Sequence, residues 1–382
     1  MSALLEAVFG TEPPDEAFER FCRVELGSGI REVVFERASA GIVRALELED
    51  GRRVVVKAHQ PGRDESFLTA VREVQAFLHA AGYPVPLPLG GPAPLGRGLG
   101  LAQEFRDEGS WEDAHRPEIR RELARSLATQ LELTRSLGAV IGLGRGWRLW
   151  AGAGLWPPAA HSPIFDFAAT AARAERIDEL AARGKRLVGA GRPLVGHSDW
   201  SAKHMRFVSG KISVIYDWDS LDLSTETKLV GTAAATFTAN YELDVPYAPT
   251  PDEARAFVDA YSAARSSRLS RSEREEIAAV TLYVVALLGP VRTRPGPTRR
   301  LRRGAGALRR RVSVALSRRN GAPTCPQGHP GVPTETLSRI VSRRYDANVA
   351  DACRFLHGNQ AVLRWSSSST SAGSRPRAAR SA

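Results

Sequence analysis

Short stretches of alternating apolar and polar residues near the N-terminal end of the chain predict β-strands. Three such stretches run from Arg31 to Glu36, from Ile42 to Leu48 and from Arg52 to His59. The residues Glu49-Asp50-Gly51 between the last two are typical of a tight turn. A fourth short strand is predicted from Leu99 to Phe105. This part of the chain should therefore form a small β-rich lobe.

The apolar spacing changes after the third strand and becomes that of an amphipathic helix. Apolar residues recur at helical spacing at Phe67, Val71, Val74, Leu78 and Ala81. Asp64 or Ser66 could cap the start of this helix, and Gly82 followed by Pro84 should end it. Residues 83–100 are rich in Pro and Gly, which predicts a loop.

Helical patterns dominate the following part of the chain. They cover residues 117–138, 164–189, 252–265 and 271–288, and Met205 to Tyr216 has the pattern of a hairpin that turns at Ser209-Gly210. The predicted fold class is α+β and bilobal. It has a small β-rich N-lobe over residues 1–105 and a larger, mainly helical C-lobe over residues 106–290.

The longest apolar run, from Ile277 to Val291, contains Thr281 and is interrupted by Gly289-Pro290. It is shorter than the ~20 residues needed to cross a bilayer, so we interpret it as a buried helix. The N-terminal residues lack the basic segment of a signal peptide, and the three cysteines form no CxxC pair. These features favour a cytoplasmic protein without a zinc knuckle or a disulfide framework.

The net charge of +11 comes from the C-terminal end of the chain. Residues 291–382 contain 19 Arg, no Lys and only three acidic residues, whereas the preceding 290 residues carry slightly more acidic than basic groups. The high charge therefore says little about what the body of the protein binds. This Arg- and Ser-rich tail has three interpretations: a nucleic-acid-binding segment, a disordered extension, or the product of a shifted reading frame.

Two carboxylates at the ends of apolar strands are the strongest indication of chemistry. One strand leads into Gly196-His197-Ser198-Asp199, and a second leads into Asp217. Carboxylates at the ends of neighbouring strands would point into one cleft. There, one could accept a proton from a hydroxyl group and the other could hold a hard cation such as Mg²⁺. Phosphoryl transfer requires this division of roles.

A single lysine, Lys57, stands in the otherwise apolar third strand. A buried lysine needs a partner of opposite charge. Glu73, sixteen residues later on the predicted helix, is a plausible partner. Such an ion pair would hold Lys57 where the phosphates of a nucleotide can reach it.

Taken together, these residues resemble the aminoglycoside phosphotransferase family, which has a protein-kinase-like fold. The family motif H-x-D-x-x-x-x-N matches at His197 and Asp199, and Asp217 stands thirteen residues after His204, which occupies the Asn position. The spacing of Lys57 and Glu73 also fits. The resemblance covers approximately residues 25–290.

The resemblance implies a role for each matching position in the C-lobe. Asp199 would be the catalytic base or the residue that orients the acceptor hydroxyl, and His197 would brace the catalytic loop. Asp217 would bind Mg²⁺. His204 departs from the family asparagine, and since Mg²⁺ prefers oxygen ligands, it puts the second metal position in question. Asp219 is either a further metal ligand or an exposed turn residue.

In the N-lobe, the resemblance assigns Lys57 to the nucleotide phosphates and Glu73 to holding Lys57. The turn from Ala38 to Gly41, which includes Ser39, would lie over the phosphates, although it is poor in glycine. The segment from Gln103 to Phe105 would form the connector on the adenine side.

We therefore expect ATP-dependent transfer of a γ-phosphoryl group to a hydroxyl of a small molecule, with GTP as a further possible donor. The alternative is a catalytically weak nucleotide-binding module that serves as a sensor or scaffold. A nucleic-acid partner is expected only through the basic tail, and no membrane association is expected. The sequence leaves the oligomeric state open.

Overall fold

The structure is a computed structural model in which the N-terminal part is built on a β-sheet and the C-terminal part is mainly helical. It describes residues 2–38, 40–138, 140–145, 149–150, 152, 154–157 and 175–293. Ser39, the first part of the helical pattern at 164–189 and nearly all of the basic tail lie outside the described residues.

The N-terminal sheet contains five antiparallel strands in the order β1-β2-β3-β5-β4. The strands are β1 (Ile30–Ala38), β2 (Gly41–Leu48), β3 (Arg53–His59), β4 (Pro88–Leu95) and β5 (Gly98–Glu104). The four strands expected from alternation are all present. Strand β4 was wrongly predicted as loop, because prolines weaken a strand signal but are tolerated on an edge strand, where β4 lies.

One face of the sheet is covered by helices that the alternation pattern did not predict. They are α1 (Ser2–Phe9), α2 (Pro14–Phe21) and a short π-helix (Cys22–Leu26). Their apolar side chains, including Phe18 and Phe21, pack with the buried residues of β2 and β3 into one hydrophobic cluster. This cluster fixes the strand that carries Lys57.

The helix α3 (Glu65–Ala80) lies between β3 and β4 in the chain and was predicted. The side chain of Asp64 accepts a hydrogen bond from the backbone N–H of Phe67, so Asp64 is the N-cap. The apolar side of α3 packs into a second hydrophobic cluster, which it shares with the C-terminal helices. The two parts of the molecule are therefore joined by a continuous core.

The described helices of the C-terminal part are α4 (Pro117–Thr134), α5 (Glu175–Arg186), α6 (Glu226–Thr236), α7 (Pro251–Ala264) and α8 (Arg271–Thr293). Helix α6 was not predicted. Its small residues pack closely, and a side chain at Gly231 would meet Val280 of α8. Helix α8 begins with a capping box formed by Ser270 and Glu273.

Helix α8 also continues past Gly289-Pro290, where an end was predicted. A proline removes one helical hydrogen bond, which need not end the helix. None of the described helices is long and apolar enough to cross a membrane.

Two small antiparallel pairs of strands lie among these helices. Strand β6 (Pro193–His197) pairs with β9 (Leu221–Thr225), and β7 (Met205–Val208) pairs with β8 (Lys211–Ile215). The predicted hairpin is therefore present as β7 and β8. The loops after β6 and β8 carry most of the candidate site.

Candidate active site

Backbone hydrogen bonds hold the loop after β6 against the loop after β8. The N–H of Ser198 donates to the carbonyl oxygen of Ser220 at 2.9 Å, and the N–H of Tyr216 donates to that of His204 at 2.8 Å. Asp217 has a φ of 62°, a left-handed conformation uncommon for residues other than glycine. These features bring Asp199 and Asp217 to one place, as predicted, but β6 and β8 belong to different pairs of strands and are not the neighbouring strands that were expected.

Asp199 is held by two basic side chains. Its Oδ2 lies 2.8 Å from Nζ of Lys203 and 3.0 Å from Nε2 of His204. Burial raises the pKa of this carboxyl, but Lys203 and His204 overcome that effect and hold the pKa below its usual range. The side chain is 37% exposed. Asp199 is therefore ionised at neutral pH and open to an incoming molecule.

His197 is fully buried, and its Nε2 lies 3.1 Å from the carbonyl oxygen of Tyr216. The rings of Trp200 and Trp218 meet the imidazole edge-on, at centroid distances of 6.0 and 5.4 Å. Burial lowers the pKa of His197, so the ring is neutral at physiological pH. Its contacts suit a bracing role between the two loops.

Lys57 is largely buried, with 18% of its side chain exposed, but its partners differ from the one expected. Its Nζ lies 2.9 Å from Oδ1 of Asp217 and 2.6 Å from Oδ1 of Asp219. Burial opposes the charge of Lys57, whereas the two carboxylates raise its pKa above the usual value.

The predicted Lys57–Glu73 pair is absent among the described residues, because Glu73 is exposed on α3. The buried stripe of that helix runs through Val71, Val74 and Gln75. The helix itself was predicted, but the spacing along the chain did not show that Glu73 lies on its exposed side.

Asp219 is the most important site residue that the sequence reasoning undervalued. Its side chain is only 8% exposed, and its Oδ2 lies 3.8 Å from His59 Nδ1 and 3.7 Å from Arg63. The interpretation as an exposed turn residue was therefore wrong. Two aspartates two residues apart after an apolar strand were the available signal, and it was ambiguous because aspartates also favour turns.

Three side chains could hold a divalent cation together. One ligand atom each from Asp199, His204 and Asp217 lies within 4.8 Å of the other two. Two ligands at right angles on an ion with bonds of about 2.1 Å would be about 3.0 Å apart. Nε2 of His204 lies 3.0 Å from Oδ2 of Asp199 and 3.7 Å from Oδ2 of Asp217, so the group fits such an ion after small adjustments.

Lys203 lies beside Asp199 and is largely shielded from solvent. Its side chain is 13% exposed, and its Nζ lies 5.5 Å from the centre of the Tyr241 ring. Tyr241 stacks on Tyr247 with a centroid distance of 5.7 Å. Because Tyr241 is 69% exposed, an aromatic surface lies beside the Asp199–Lys203 pair.

The remaining predicted nucleotide contacts lie in the sheet and where it leads into the C-terminal part. Gly41 begins β2, and a side chain there would lie 2.3 Å from the carbonyl oxygen of Ala58. The side chain of Gln103 accepts a hydrogen bond from Gln75 at 2.9 Å. The ring of Phe105 is 6.1 Å from that of Phe35. Contact of these residues with a nucleotide stays a prediction.

A family model described as the phosphotransferase enzyme family, APH, matches residues 39–226. This range includes Lys57, Asp199, His204 and Asp217. This part of the chain belongs to the family. The family and the kinase-like fold expected from the motif are thereby confirmed.

Among solved structures, this phosphotransferase is similar to the amicoumacin kinase hAmiN in complex with AMP-PNP, Ca²⁺ and Ami. The TM-score is 0.58 at 11% identity, over 91% of this chain and 96% of that chain. This likeness supports the fold. No curated protein matches the chain significantly.

Two further structures are similar at lower scores. Spectinomycin phosphotransferase APH(9)-Ia has a TM-score of 0.44 at 12% identity, over 72% of this chain and 86% of that chain. Macrolide 2'-phosphotransferase MphH from Brachybacterium faecium has a TM-score of 0.44 at 15% identity, over 80% of this chain and all of that chain.

Proposed function

We propose that the protein transfers the γ-phosphoryl group of ATP to a hydroxyl group of a small molecule. The observation that carries this proposal is the meeting of Lys57 from the sheet with Asp217 and Asp199 from the C-terminal loops. Family membership supports phosphoryl transfer. GTP remains a second candidate donor.

Each of these residues has a role in the proposed reaction. Asp199 orients the acceptor hydroxyl and takes its proton as the new bond to the γ-phosphorus forms and the bond to the departing ADP breaks. Because the pKa of Asp199 is lowered, it is a weak base, which suits a loose transition state in which proton transfer comes late. Lys57 contacts the phosphates and offsets their negative charge.

Asp217 and His204, together with one oxygen of Asp199, would hold a divalent cation, with Mg²⁺ as the ion expected from the family. When bound, such an ion neutralises charge on the transferred phosphoryl group. His197 keeps the two loops in register through its contact with Tyr216.

The substitution Asp199→Asn tests this proposal. We expect turnover to fall by roughly 10²- to 10⁴-fold, the usual contribution of a positioned base, while nucleotide binding is retained. The measurement is ADP release with Mg²⁺ or Mn²⁺ over a panel of aminoglycosides, other antibiotics, sugars and amino alcohols.

The matched control is Asp259→Asn, which removes an exposed carboxylate of α7. It should leave turnover unchanged. Near-wild-type turnover in Asp199→Asn would refute the catalytic assignment. Nucleotide binding without phosphoryl transfer to any acceptor would instead favour the sensor or scaffold alternative.

A further inference from the structure

The backbone fixes the position of His204 relative to both carboxylates. His204 ends a short 3₁₀ turn, Ala202–His204, and its N–H donates to the carbonyl oxygen of Ser201 at 3.0 Å. Its own carbonyl oxygen accepts from the N–H of Tyr216, the residue before Asp217. The backbone of His204 is therefore held in place partly by the hydrogen bond that brings the two loops together.

The side chain of His204 presents Nε2 to both carboxylates. This atom is 3.0 Å from Asp199 and 3.7 Å from Asp217, and the side chain is 17% exposed. A neutral imidazole that binds an ion through Nε2 carries its proton on Nδ1. The site thus offers one nitrogen and two carboxylate oxygens, where the family motif would supply an amide oxygen in place of the nitrogen.

The replacement of an oxygen ligand by a nitrogen ligand changes which ion is favoured. Mg²⁺ binds oxygen ligands almost exclusively, whereas imidazole suits first-row transition metals. We propose that His204 is a specificity-determining ligand that shifts the metal preference of this site from Mg²⁺ towards Mn²⁺. The proposal rests on the proposed function, because it takes the site to be the metal centre of a nucleotide-binding enzyme.

Mn²⁺ is favoured over the other transition metals because the rest of the ligand set is hard. The carboxylates of Asp199 and Asp217 suit Mg²⁺ and Mn²⁺ equally in chemical type, as do phosphate oxygens. Both carboxylates also have lysine partners, Lys203 and Lys57, which offset their charge. The attraction between charges therefore contributes less to binding, and the identity of the third ligand matters more.

The test compares the binding of Mn²⁺ and Mg²⁺ by titration calorimetry in the presence of AMP-PNP. For the wild-type protein and for His204→Asn, the ratio of the Mg²⁺ Kd to the Mn²⁺ Kd is measured. We expect this ratio to fall at least tenfold in His204→Asn, the lower end of the effects seen when groups around a metal are changed. Since AMP-PNP has its own preference between the ions, only the change in the ratio is interpreted.

The matched control is His79→Asn, which removes an imidazole on α3 that contacts the carbonyl oxygen of Val85. Its ratio should equal that of the wild type. An unchanged ratio in His204→Asn, with both ions still binding, would overturn this inference and leave the proposed function standing. Binding of neither ion to the wild-type protein would contradict both.

A second measurement does not depend on a variant that folds. Pulsed electron paramagnetic resonance of Mn²⁺ bound to the wild-type protein should detect coupling to an imidazole nitrogen, and labelling of histidine with ¹⁵N should change that coupling. Mn²⁺ that binds together with AMP-PNP but has no histidine nitrogen coupling would refute the assignment of His204 as a ligand.

Discussion

The partner of Lys57 can be identified by comparing Asp219→Asn with Glu73→Gln. The first substitution removes the charge of the carboxylate seen 2.6 Å from Lys57 Nζ, and the second removes that of the partner expected from chain spacing. Each replaces a carboxylate by an amide of nearly the same size. The pair therefore tests charge and position without creating a cavity.

The structure sets the size of the expected effect. A hydrogen bond to a charged group contributes about 1.5–3 kcal/mol. The side chains of Lys57 and Asp219 are both shielded from solvent, with exposed fractions of 18% and 8%. Because Lys57 retains Asp217 at 2.9 Å, we expect Asp219→Asn to lower the free energy of unfolding by ~2 kcal/mol. Glu73 is exposed on α3, so Glu73→Gln should change it by less than ~0.5 kcal/mol.

The assay is urea unfolding of the nucleotide-free protein, followed by tryptophan fluorescence. Trp218 is buried next to Asp219 and should report on this region. An unchanged slope of free energy against urea indicates that the variants differ in stability and not in the extent of unfolding. A loss of stability in Glu73→Gln that matches or exceeds the loss in Asp219→Asn would refute the assignment of Asp219.

Two further predictions concern residues that pack next to the site, His59 and Gly196. Burial lowers the pKa of His59 from its ordinary value of 6.5 to about 4, so the unfolded chain binds a proton at higher pH than the folded protein does. The free energy of unfolding is therefore unaffected by protonation of His59 above about pH 6.5, and it falls as the pH is lowered towards 4. Unfolding measured across this range should therefore give a slope up to about 1.4 kcal/mol per pH unit shallower in His59→Asn; equal slopes would contradict this. In β6, a side chain at Gly196 would lie 2.4 Å from Leu229, so Gly196→Ala should lower the thermal midpoint, whereas Gly144→Ala, which meets no neighbour, should lower it less. The reverse order would count against close packing under His197.

Most of the elements that carry the site could be predicted from the sequence, because their signals are local. The alternation in β2 and β3 and the apolar spacing of α3 reflect which side chains face a core, and that periodicity is present in the chain itself. The prolines of β4 and the small residues of α6 gave a weak signal, since their structure depends on an edge position and on packing against α8. Local propensity does not include either effect.

The residues of the candidate site also include some that the sequence could identify and some that it could not. The positions of His197, Asp199 and Asp217 follow from motif spacing and from two apolar strands, so the sequence by itself identified two carboxylates that meet, although it did not show that β6 and β8 belong to different sheets. The partner of Lys57 was decided by the tertiary structure alone. Strand β3 and the loop after β8 are about 160 residues apart in the chain, and only their packing brings Asp219 to the lysine while Glu73 faces solvent. Which side of a helix or loop faces a distant strand depends on how whole elements pack, and sequence spacing does not contain that information.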